Sequence, residues 1–361
     1  MQRINQMEPW IGEEEKQAVK DYLDAGGWLT EFRKTREFEE MIAEYVGSRF
    51  AVVVTNGTVS LTLALMALGV GSGDEVLVPD LTMLASATSV LLAGARPIFV
   101  DVDRTTLCAD LEKVEEAITP RTRALMLVSL NGRSPDMRDV TALCRRHHLA
   151  LVEDAAQSLG SRFCGRHLGT WGDVGSFSFS MPKIVTTGQG GALVTDAESV
   201  AERLRKLKDF GRRQAGADFY ETVGFNFKFT DLQAVIGIEQ MKKLGARVSR
   251  KKEMYRLYQQ ELAGVAEAEF PRTDLSATTP WFMDVLVPDR EGLKGWLEAR
   301  QIGSRPFYPA LHSQPAFGLP GSYPVSEYLA EHGLWLPSSA FLSDEDVRRV
   351  CAEIRAYFER V

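Results

Sequence analysis

The stretch S-F-S-F-S-M-P-K-I-V-T-T-G-Q-G-G at residues 176–191 decides the fold that we expect of this chain. It begins as an apolar run with small polar residues interleaved, which is typical of a strand packed on both faces. Lys183 then precedes a glycine-rich loop and a second strand-like run, Ala192–Thr195. Because burial lowers the pKa of a lysine, and an attacking amine must be unprotonated, the stretch predicts a reactive lysine beside a buried strand.

A carboxylate partner for this lysine is found upstream. The apolar run Leu149–Glu153 is typical of a strand, and it leads directly into Asp154 and a series of small residues. A strand-end aspartate that pairs a pyridinium nitrogen, followed by a lysine that bonds a cofactor aldehyde, is the protein half of pyridoxal phosphate (PLP) chemistry. Asp154 and Lys183 are therefore the predicted catalytic residues, and PLP is the predicted cofactor.

Strands and helices alternate along the first two-thirds of the chain. Further strand-like runs lie at Ala51–Val54, Glu75–Val78, Pro97–Val100 and Ala124–Val128, with helical patterns between them. This order predicts an α/β fold with a mostly parallel sheet covered by helices on both faces. Sites in such sheets lie at the carboxyl ends of the strands. We therefore expect Asp154, Lys183 and the polar turn Asn56–Thr58 to meet at one edge of the sheet.

The pattern changes near residue 245. A long helical stretch runs from Asp231 to about Leu262, and we interpret its charged run of Arg247, Arg250, Lys251 and Lys252 as a solvated face between two domains. Beyond it, a strand at Trp281–Val287 and later helices predict a smaller C-terminal α+β domain. We assign residues 1–25 to a segment packing on the small domain, 26–244 to the large cofactor-binding domain, and 245–361 to the small domain.

Composition narrows the classes of partner. The chain has 361 residues, a net charge of −7 and a sequence pI near 5.5, which argues against nucleic acid or an anionic membrane as the main partner. Its four cysteines, Cys108, Cys144, Cys164 and Cys351, show neither CxxC nor metal-ligand spacing, so we expect buried free thiols and no metal. No apolar run approaches ~20 residues, and we expect a cytoplasmic protein without signal peptide or membrane span.

Three motifs carry a family resemblance. E-D-A-A-Q-S-L-G at 153–160, G-D-V-G-S-F-S-F at 172–179 and K-I-V-T-T-G-Q-G-G at 183–191 resemble the DegT/DnrJ/EryC1/StrS sugar aminotransferases, which are fold-type I PLP enzymes. The resemblance extends from about residue 25 to the C-terminus with the motifs in the family's order. Within the family it favours nucleotide-sugar 4-aminotransferases of the GDP-perosamine synthase type.

The resemblance implies a reaction. It indicates transfer of an amino group from L-glutamate to a keto-sugar nucleotide, with a GDP-linked 4-keto-6-deoxyhexose favoured, in amino-sugar or secondary-metabolite biosynthesis. The alternatives are a PLP-dependent sugar dehydratase of the same fold, an aminocyclitol aminotransferase and a non-catalytic paralogue. The dehydratases replace the lysine by histidine, so Lys183 argues against that alternative.

The resemblance also assigns roles to residues away from the catalytic pair. The implied cofactor contacts, besides Asp154 and Lys183, are Gly57, Thr58, Met83, Gln157, Ser178 and Asn226. The implied substrate contacts are Arg305, His312 and Thr187. Asn226 is expected to reach the phosphate of the neighbouring subunit's cofactor, which implies a homodimer with shared active sites.

Three departures from the family pattern lie near the expected site. Met83 stands where an aromatic residue usually stacks on the cofactor ring. Ser129-Leu130-Asn131-Gly132 replaces a common His-Leu-Tyr-Gly, and Gln189 replaces the glutamate of a Gly-Glu-Gly-Gly loop. The identity of the nucleotide and of the sugar therefore stays open at this point.

Overall fold

The structure is a computed structural model that describes residues 2–214 and 216–360. The helices are α1 (Glu13–Asp24), α2 (Arg33–Val46), α3 (Gly57–Ala67), α4 (Leu84–Leu92), α5 (Leu111–Glu116), α6 (Met137–Arg146), α7 (Glu198–Lys208), α8 (Asp231–Lys242), α9 (Leu244–Glu261), α10 (Arg290–Ala299), α11 (Pro324–His332) and α12 (Asp344–Phe358). The strands are β1 (Phe50–Val54), β2 (Glu75–Pro79), β3 (Arg96–Val100), β4 (Thr122–Val128), β5 (Ala150–Asp154), β6 (Arg162–Phe163), β7 (Arg166–His167), β8 (Val174–Ser178), β9 (Gly191–Thr195), β10 (Met283–Leu286), β11 (Arg305–Pro306) and β12 (Gly333–Leu336).

A seven-stranded sheet in the order β1-β9-β8-β5-β4-β2-β3 forms the centre of the fold. Strand β9 runs antiparallel to both of its neighbours, and the pairs β8–β5, β5–β4, β4–β2 and β2–β3 are parallel. Buried clusters cover both faces of this sheet, as expected when its strands read as continuous apolar runs. The predicted α/β fold with a mostly parallel sheet is confirmed.

A second, three-stranded antiparallel sheet, β10-β12-β11, lies in the C-terminal part of the chain. Residues of α9, α10 and α12 pack with it in a separate buried cluster. The N-terminal segment joins this cluster through Ile4, whose backbone N–H donates to the Gln301 carbonyl at 2.9 Å. The division of the chain at residue 245 stays a prediction. No described helix combines the length and apolar character that crossing a bilayer requires.

The interpretation of the charged run in α9 as a solvated face is wrong for two of its four residues. Arg247 and Lys251 are only 2% and 1% exposed. They are spaced by four, so they share one face of the helix, and that face packs inward. The Arg247 guanidinium donates to the Ile184 carbonyl at 2.8 Å, while the Lys251 amine donates to backbone carbonyls. The cysteine expectation also needs correction, because Cys164 is exposed.

Candidate active site

Strand ends of the central sheet bring the predicted catalytic pair together. Asp154 is the last residue of β5 and Ser178 the last residue of β8, while Lys183 follows in the turn after β8. Gln157, Ser178, Lys183 and Trp281 line one small cavity at this edge. The parallel order of β5 and β8 places these ends side by side, and ligands of open α/β sheets bind at the carboxyl ends of the strands.

Lys183 lies in an enclosed environment with its amine on an aromatic ring. Its Nζ is 4.0 Å from the centroid of Trp281. Burial lowers the pKa of the Lys183 amine to about 8; Asp154 opposes this shift, and the Arg305 guanidinium adds to it. An amine with this pKa loses its proton more readily than an ordinary lysine, so it can act as a nucleophile or base near neutral pH.

Asp154 is held in a fixed orientation. The residue is 6% exposed, and its two oxygens accept the Ser86 hydroxyl at 2.7 Å and the Ala156 backbone N–H at 3.2 Å. Ser86 belongs to α4 and its hydroxyl also contacts that of Thr82 at 3.0 Å. Burial raises the pKa of the Asp154 carboxyl, and these hydrogen bonds partly offset the increase. A cationic partner in the same space would favour the carboxylate form.

The N-terminus of α3 forms a cradle suited to a phosphate. Asn56 caps this helix, accepting the Val59 backbone N–H with its side chain at 2.9 Å. A Cβ atom at Gly57 would lie 3.1 Å from Ser178 Cβ, a tight contact that glycine avoids where the two backbones approach each other. The first backbone N–H groups of a helix point at an anion, and the hydroxyls of Thr58 and Ser178 add donors of the same type.

Gln157 is held by the segment at residues 129–132, which differs from the common family sequence. Its side-chain oxygen accepts the Asn131 backbone N–H at 2.8 Å, and Asn131 has a left-handed backbone with φ of 52°. The Asn131 side chain in turn bonds the Phe282 backbone at both its N–H and its carbonyl, at 2.6 and 2.8 Å. Gln157 is thereby left with its amide NH₂ as the group free to face the cavity. Within the described chain the buried Ser129 hydroxyl has no hydrogen-bond partner.

Three predicted cofactor or substrate residues have other surroundings in the single chain. Met83 is 46% exposed at the start of α4, where its sulfur accepts the Ala85 backbone N–H at 3.0 Å. The Thr187 hydroxyl donates to the Gln189 carbonyl at 2.7 Å, inside its own loop. Asn226 is exposed, although the carbonyl of the next residue, Phe227, accepts the Thr55 N–H at 3.2 Å beside the α3 cradle. Their proposed roles stay predictions.

The two C-terminal substrate candidates differ in their contacts. Arg305 is exposed, with its guanidinium 5.5 Å from the Tyr308 ring and 5.6 Å from the Trp335 ring, and its charge acts on Lys183. His312 is instead bound to the buried Asp80, whose two oxygens lie 2.7 Å from the His312 ring Nδ1 and from its backbone nitrogen. Arg305 therefore acts on the catalytic lysine through its charge, whereas Asp80 already binds the Nδ1 side of the His312 ring.

Three residues that the sequence did not single out act on Lys183 or Asp154. Trp281 supplies the ring beneath the amine, Ser86 orients Asp154, and the charge of Asp154 acts on the buried phenol of Tyr308. Trp281 reads as the start of a core strand, and Ser86 as one small residue in an apolar helix. Tyr308 lies beside Arg305 in a proline-bounded motif, which was the one local signal that could have indicated it.

A larger cleft of about 910 Å³ lies elsewhere, beside the edge strand β1. Charged residues of α2 and α7 line it with both signs. Its buried amine, Lys208, is already paired with Glu31 at 2.9 Å and with Glu39 at 3.4 Å. None of the predicted catalytic or phosphate-contact residues lines this cleft within the part of the chain that the structure describes.

The donor set fits PLP. A lysine of lowered pKa matches the aldehyde of that cofactor, a buried and oriented carboxylate matches its ring nitrogen, and a helix N-terminus with a closely approaching glycine matches its phosphate. An α/β chain with this site defines the class of PLP-dependent enzymes whose lysine follows a strand of the central sheet.

Comparison with known proteins identifies the family. Residues 9–355 match the DegT/DnrJ/EryC1/StrS aminotransferase family, and the chain belongs to it. The GDP-perosamine synthase of Caulobacter vibrioides is 35% identical over 362 residues, covering 98% of this chain and 97% of the relative. Among solved structures, DesV of S. venezuelae is 37% identical with a TM-score of 0.91, covering 97% of this chain and 95% of DesV.

A third relative bears on the cofactor. The putative sugar aminotransferase Spr1654 of Streptococcus pneumoniae, solved in its PLP form, is 26% identical, has a TM-score of 0.94 and covers 99% of this chain and 99% of its own chain. The present chain is accordingly a PLP-dependent aminotransferase, and the predictions of enzyme class and cofactor are confirmed.

Proposed function

We propose that this enzyme transfers the amino group of L-glutamate to the keto group of a nucleotide sugar, with a GDP-linked 4-keto-6-deoxyhexose as the favoured acceptor. The observation that carries the proposal is Lys183 in the turn after β8, in one cavity with Gln157 and Ser178 and with the charge of Asp154 acting on it. The choice of acceptor is supported by the 35% identity to a GDP-perosamine synthase over nearly the whole of both chains.

Lys183 acts as the proton carrier of the proposed reaction. When bound, PLP supplies the electron sink that allows a carbon–hydrogen bond beside nitrogen to lose its proton. The Nζ of Lys183 takes that proton from the amino donor and delivers a proton to the acceptor carbon in the second half of the reaction. A pKa near 8 leaves a useful fraction of the amine in each protonation state near neutral pH.

Asp154 and the α3 cradle hold the cofactor in place for this transfer. Asp154 would bind the ring nitrogen and keep its proton there, because its oxygens are already oriented by Ser86 and Ala156. The backbone of Gly57 and Thr58, together with the Ser178 hydroxyl, would bind the phosphate. Gln157 would direct its amide donor toward the ring, since Asn131 occupies its oxygen.

Arg305 is the proposed contact for an anionic substrate. The chain has a net charge of −7, so a phosphate or carboxylate must be met by local cations rather than by the overall field. Arg305 is exposed, and its charge acts on Lys183, so a substrate anion bound to Arg305 would lie within reach of the site. His312 and Thr187 remain weaker candidates because Asp80 and Gln189 already bind them.

The homodimer with shared sites belongs to the proposal. Large apolar side chains are exposed in two segments of the single chain, with Trp28 at 66%, Phe219 at 60% and Val223 at 81%. Exposed apolar side chains of this size on neighbouring loops are typical of an interface with another chain. Asn226 follows the second segment, within the surface that the proposed partner would cover.

Isotope transfer tests the reaction. The PLP-loaded enzyme is given ¹⁵N-L-glutamate and 4-keto-6-deoxyhexoses linked to GDP, dTDP or UDP, with one aminocyclitol ketone in parallel. We expect glutamate to bleach the visible cofactor band, and mass spectrometry to find ¹⁵N in an amino sugar, most rapidly with GDP.

Other outcomes distinguish the alternatives. Nucleotide-sugar consumption without ¹⁵N in the product would indicate a dehydratase, and ¹⁵N in the cyclitol alone would replace the nucleotide-sugar proposal. No bleaching by glutamate in protein that has bound PLP would indicate a non-catalytic paralogue. The Lys183→Ala variant serves as the blank for each arm.

A further inference from the structure

Two residues next to Lys183 have no role in the function proposed above. Trp281 lies beneath the Lys183 amine, and the Lys251 amine donates a hydrogen bond to the Trp281 carbonyl. We propose that Trp281 is a positioning residue that holds the Lys183 amine whenever the amine is not bonded to the cofactor, and that Lys251 fixes Trp281 in place. The inference rests on Lys183 being the cofactor lysine, but not on which acceptor is used.

Trp281 contacts both ends of the Lys183 unit. Its ring centroid is 4.0 Å from Nζ, and its indole Nε1–H donates to the Pro182 carbonyl at 2.7 Å. The side chain thus binds the amine through its π face and the peptide that carries the lysine through its N–H. An ammonium over an indole face is attracted by the negative face of the ring.

The indole is itself rigidly packed. Trp281 is 4% exposed, stacks on Phe282 at 3.7 Å between centroids, and meets Trp335 edge-on at 5.9 Å. The backbone of Phe282 is fixed by both functional atoms of the Asn131 amide. These contacts hold the Trp281 ring in one position. We therefore expect the ring to stay in place when the Lys183 amine moves away, so that it can bind the amine again.

Lys251 supplies the remaining fixed point. Its amine is 1% exposed and donates to the carbonyls of Trp281, at 2.7 Å, and of Ser338. Among the described residues it forms no salt bridge within 4.0 Å, and desolvation alone acts on its pKa, so no carboxylate offsets the cost of its burial. Burial lowers the pKa of this amine to about 7. Burying an amine without a carboxylate is costly, and the hydrogen bonds that Lys251 makes in return fix the carbonyls of Trp281 and Ser338.

Several charged groups near Lys183 influence its protonation, and the effect of the Trp281 ring adds to theirs. Asp154 on β5 favours the ammonium, whereas Arg305 on β11 and desolvation favour the neutral amine. Glu8, Arg247 and Lys251 face the same lysine across a second small cavity. Trp281 adds an attraction that exists only for the protonated amine. Removing its π face should therefore lower the pKa of Lys183 and also loosen the amine.

The pH dependence of cofactor attachment measures this effect without any substrate. Protein stripped of PLP is mixed with PLP between about pH 6 and pH 10, and the second-order rate constant is read from the visible band. The wild-type rate should rise with a midpoint near the Lys183 pKa of about 8. Trp281→Leu should lower this midpoint by about one pH unit, and Trp281→Phe by less, because phenylalanine keeps a π face. An unchanged or raised midpoint in Trp281→Leu would overturn the proposal.

Fluorinated tryptophan provides a second test that preserves side-chain shape. Growth with tryptophans of increasing ring fluorination withdraws charge from the π face of all six tryptophans. The midpoint should fall stepwise with fluorination in wild type and stay constant in Trp281→Phe, where the other five are still labelled. A fall of equal size in both proteins, or none in wild type, contradicts the proposal. Borohydride reduction and peptide mass confirm that attachment occurs on Lys183; attachment elsewhere would instead contradict the proposed site.

Discussion

The half-buried Lys183 and the fully buried Lys251 both contact Trp281, the first at its ring and the second at its carbonyl. Burial lowers the pKa of both, to about 8 and about 7. Only Lys183 has a carboxylate, Asp154, acting on it, and only Lys183 lines the cavity with Gln157 and Ser178. A lowered lysine pKa therefore does not identify a reactive amine by itself. The surrounding carboxylate and phosphate cradle separate the reactive lysine from the structural one.

Removing each amine should produce opposite results, and this is the largest effect that we expect. Lys183→Ala should lose covalent cofactor attachment and reduce turnover by a factor of at least ~10³, because no other group can carry the proton. Lys251→Met should still attach the cofactor, and the pyridoxyl group should still be found on Lys183 after borohydride reduction. The measurement is peptide mapping after borohydride reduction, together with ¹⁵N transfer. A pyridoxyl group found on Lys251 in wild type would identify Lys251, and not Lys183, as the reactive lysine.

Asp154→Asn should separate cofactor binding from catalysis. The amide keeps the shape and can still bond Ser86, but it cannot hold a proton on the ring nitrogen. We expect PLP to remain bound and turnover to fall by roughly 10²–10⁴-fold, the range of a lost charge partner in the reacting site. Ser86→Ala is the matched control, expected to lose far less. Equal losses in the two variants would mean that Asp154 acts only by supporting the local structure.

The sequence was sufficient for features that depend on local order. The alternation of strands and helices predicted the sheet, and the apolar run before Asp154 predicted a strand end within one residue of the observed one. The burial of Lys251 and the approach of Trp281 to Lys183 depend on packing between segments distant in the chain. Charge counts treat Arg247 and Lys251 as solvated because nothing nearby shows that their helix face is covered. The Asn131 network is likewise visible only in three dimensions.

A mixed dimer extends the comparison from one chain to two. If Asn226 serves the neighbour's phosphate, co-expressed Lys183→Ala and Asn226→Ala chains form heterodimers with one doubly defective site and one intact site. Isolated heterodimer should then reach about half of wild-type activity, well above either parent. The parents must be folded, dimeric and impaired for the assay to be read. Activity no higher than the mean of the parents would assign Asn226 to its own subunit.

The stability contributed by Lys251 should depend on pH with a defined sign. Its pKa falls from 10.5 in the unfolded chain to about 7 in the folded one, so between these values only the unfolded chain binds the proton. The free energy of unfolding therefore rises with pH across this window, by up to about 1.4 kcal/mol per unit, and the burial penalty is complete below pH 7.

The contribution of Lys251 can be isolated by comparing the unfolding free energies of two proteins. The unfolding free energy of wild type minus that of Lys251→Met, from urea titrations at several pH values, should increase from pH 7 toward pH 10. Lys183 and Arg247 occur in both proteins, so their contributions cancel. The same subtraction with Lys20→Met, where the side chain is 66% exposed, should be nearly flat. A flat difference for Lys251→Met would show that the amine stays protonated in the folded protein.

The smallest expected effect concerns Met83, which stands where the family usually has an aromatic residue stacked on the cofactor ring. Met83 is 46% exposed at the start of α4, close in sequence to Ser86, which binds Asp154. If Met83 covers the ring, Met83→Phe should restore an aromatic stack and tighten PLP retention by about 0.5–1.5 kcal/mol, roughly 2- to 13-fold in dissociation constant. The constant is best measured in the Lys183→Ala background, where covalent attachment does not mask it. Leu84→Phe, the adjacent exposed position at 43%, should leave retention unchanged. Equal tightening by both substitutions would reflect general apolar burial on α4, and no tightening by either would place Met83 away from the ring.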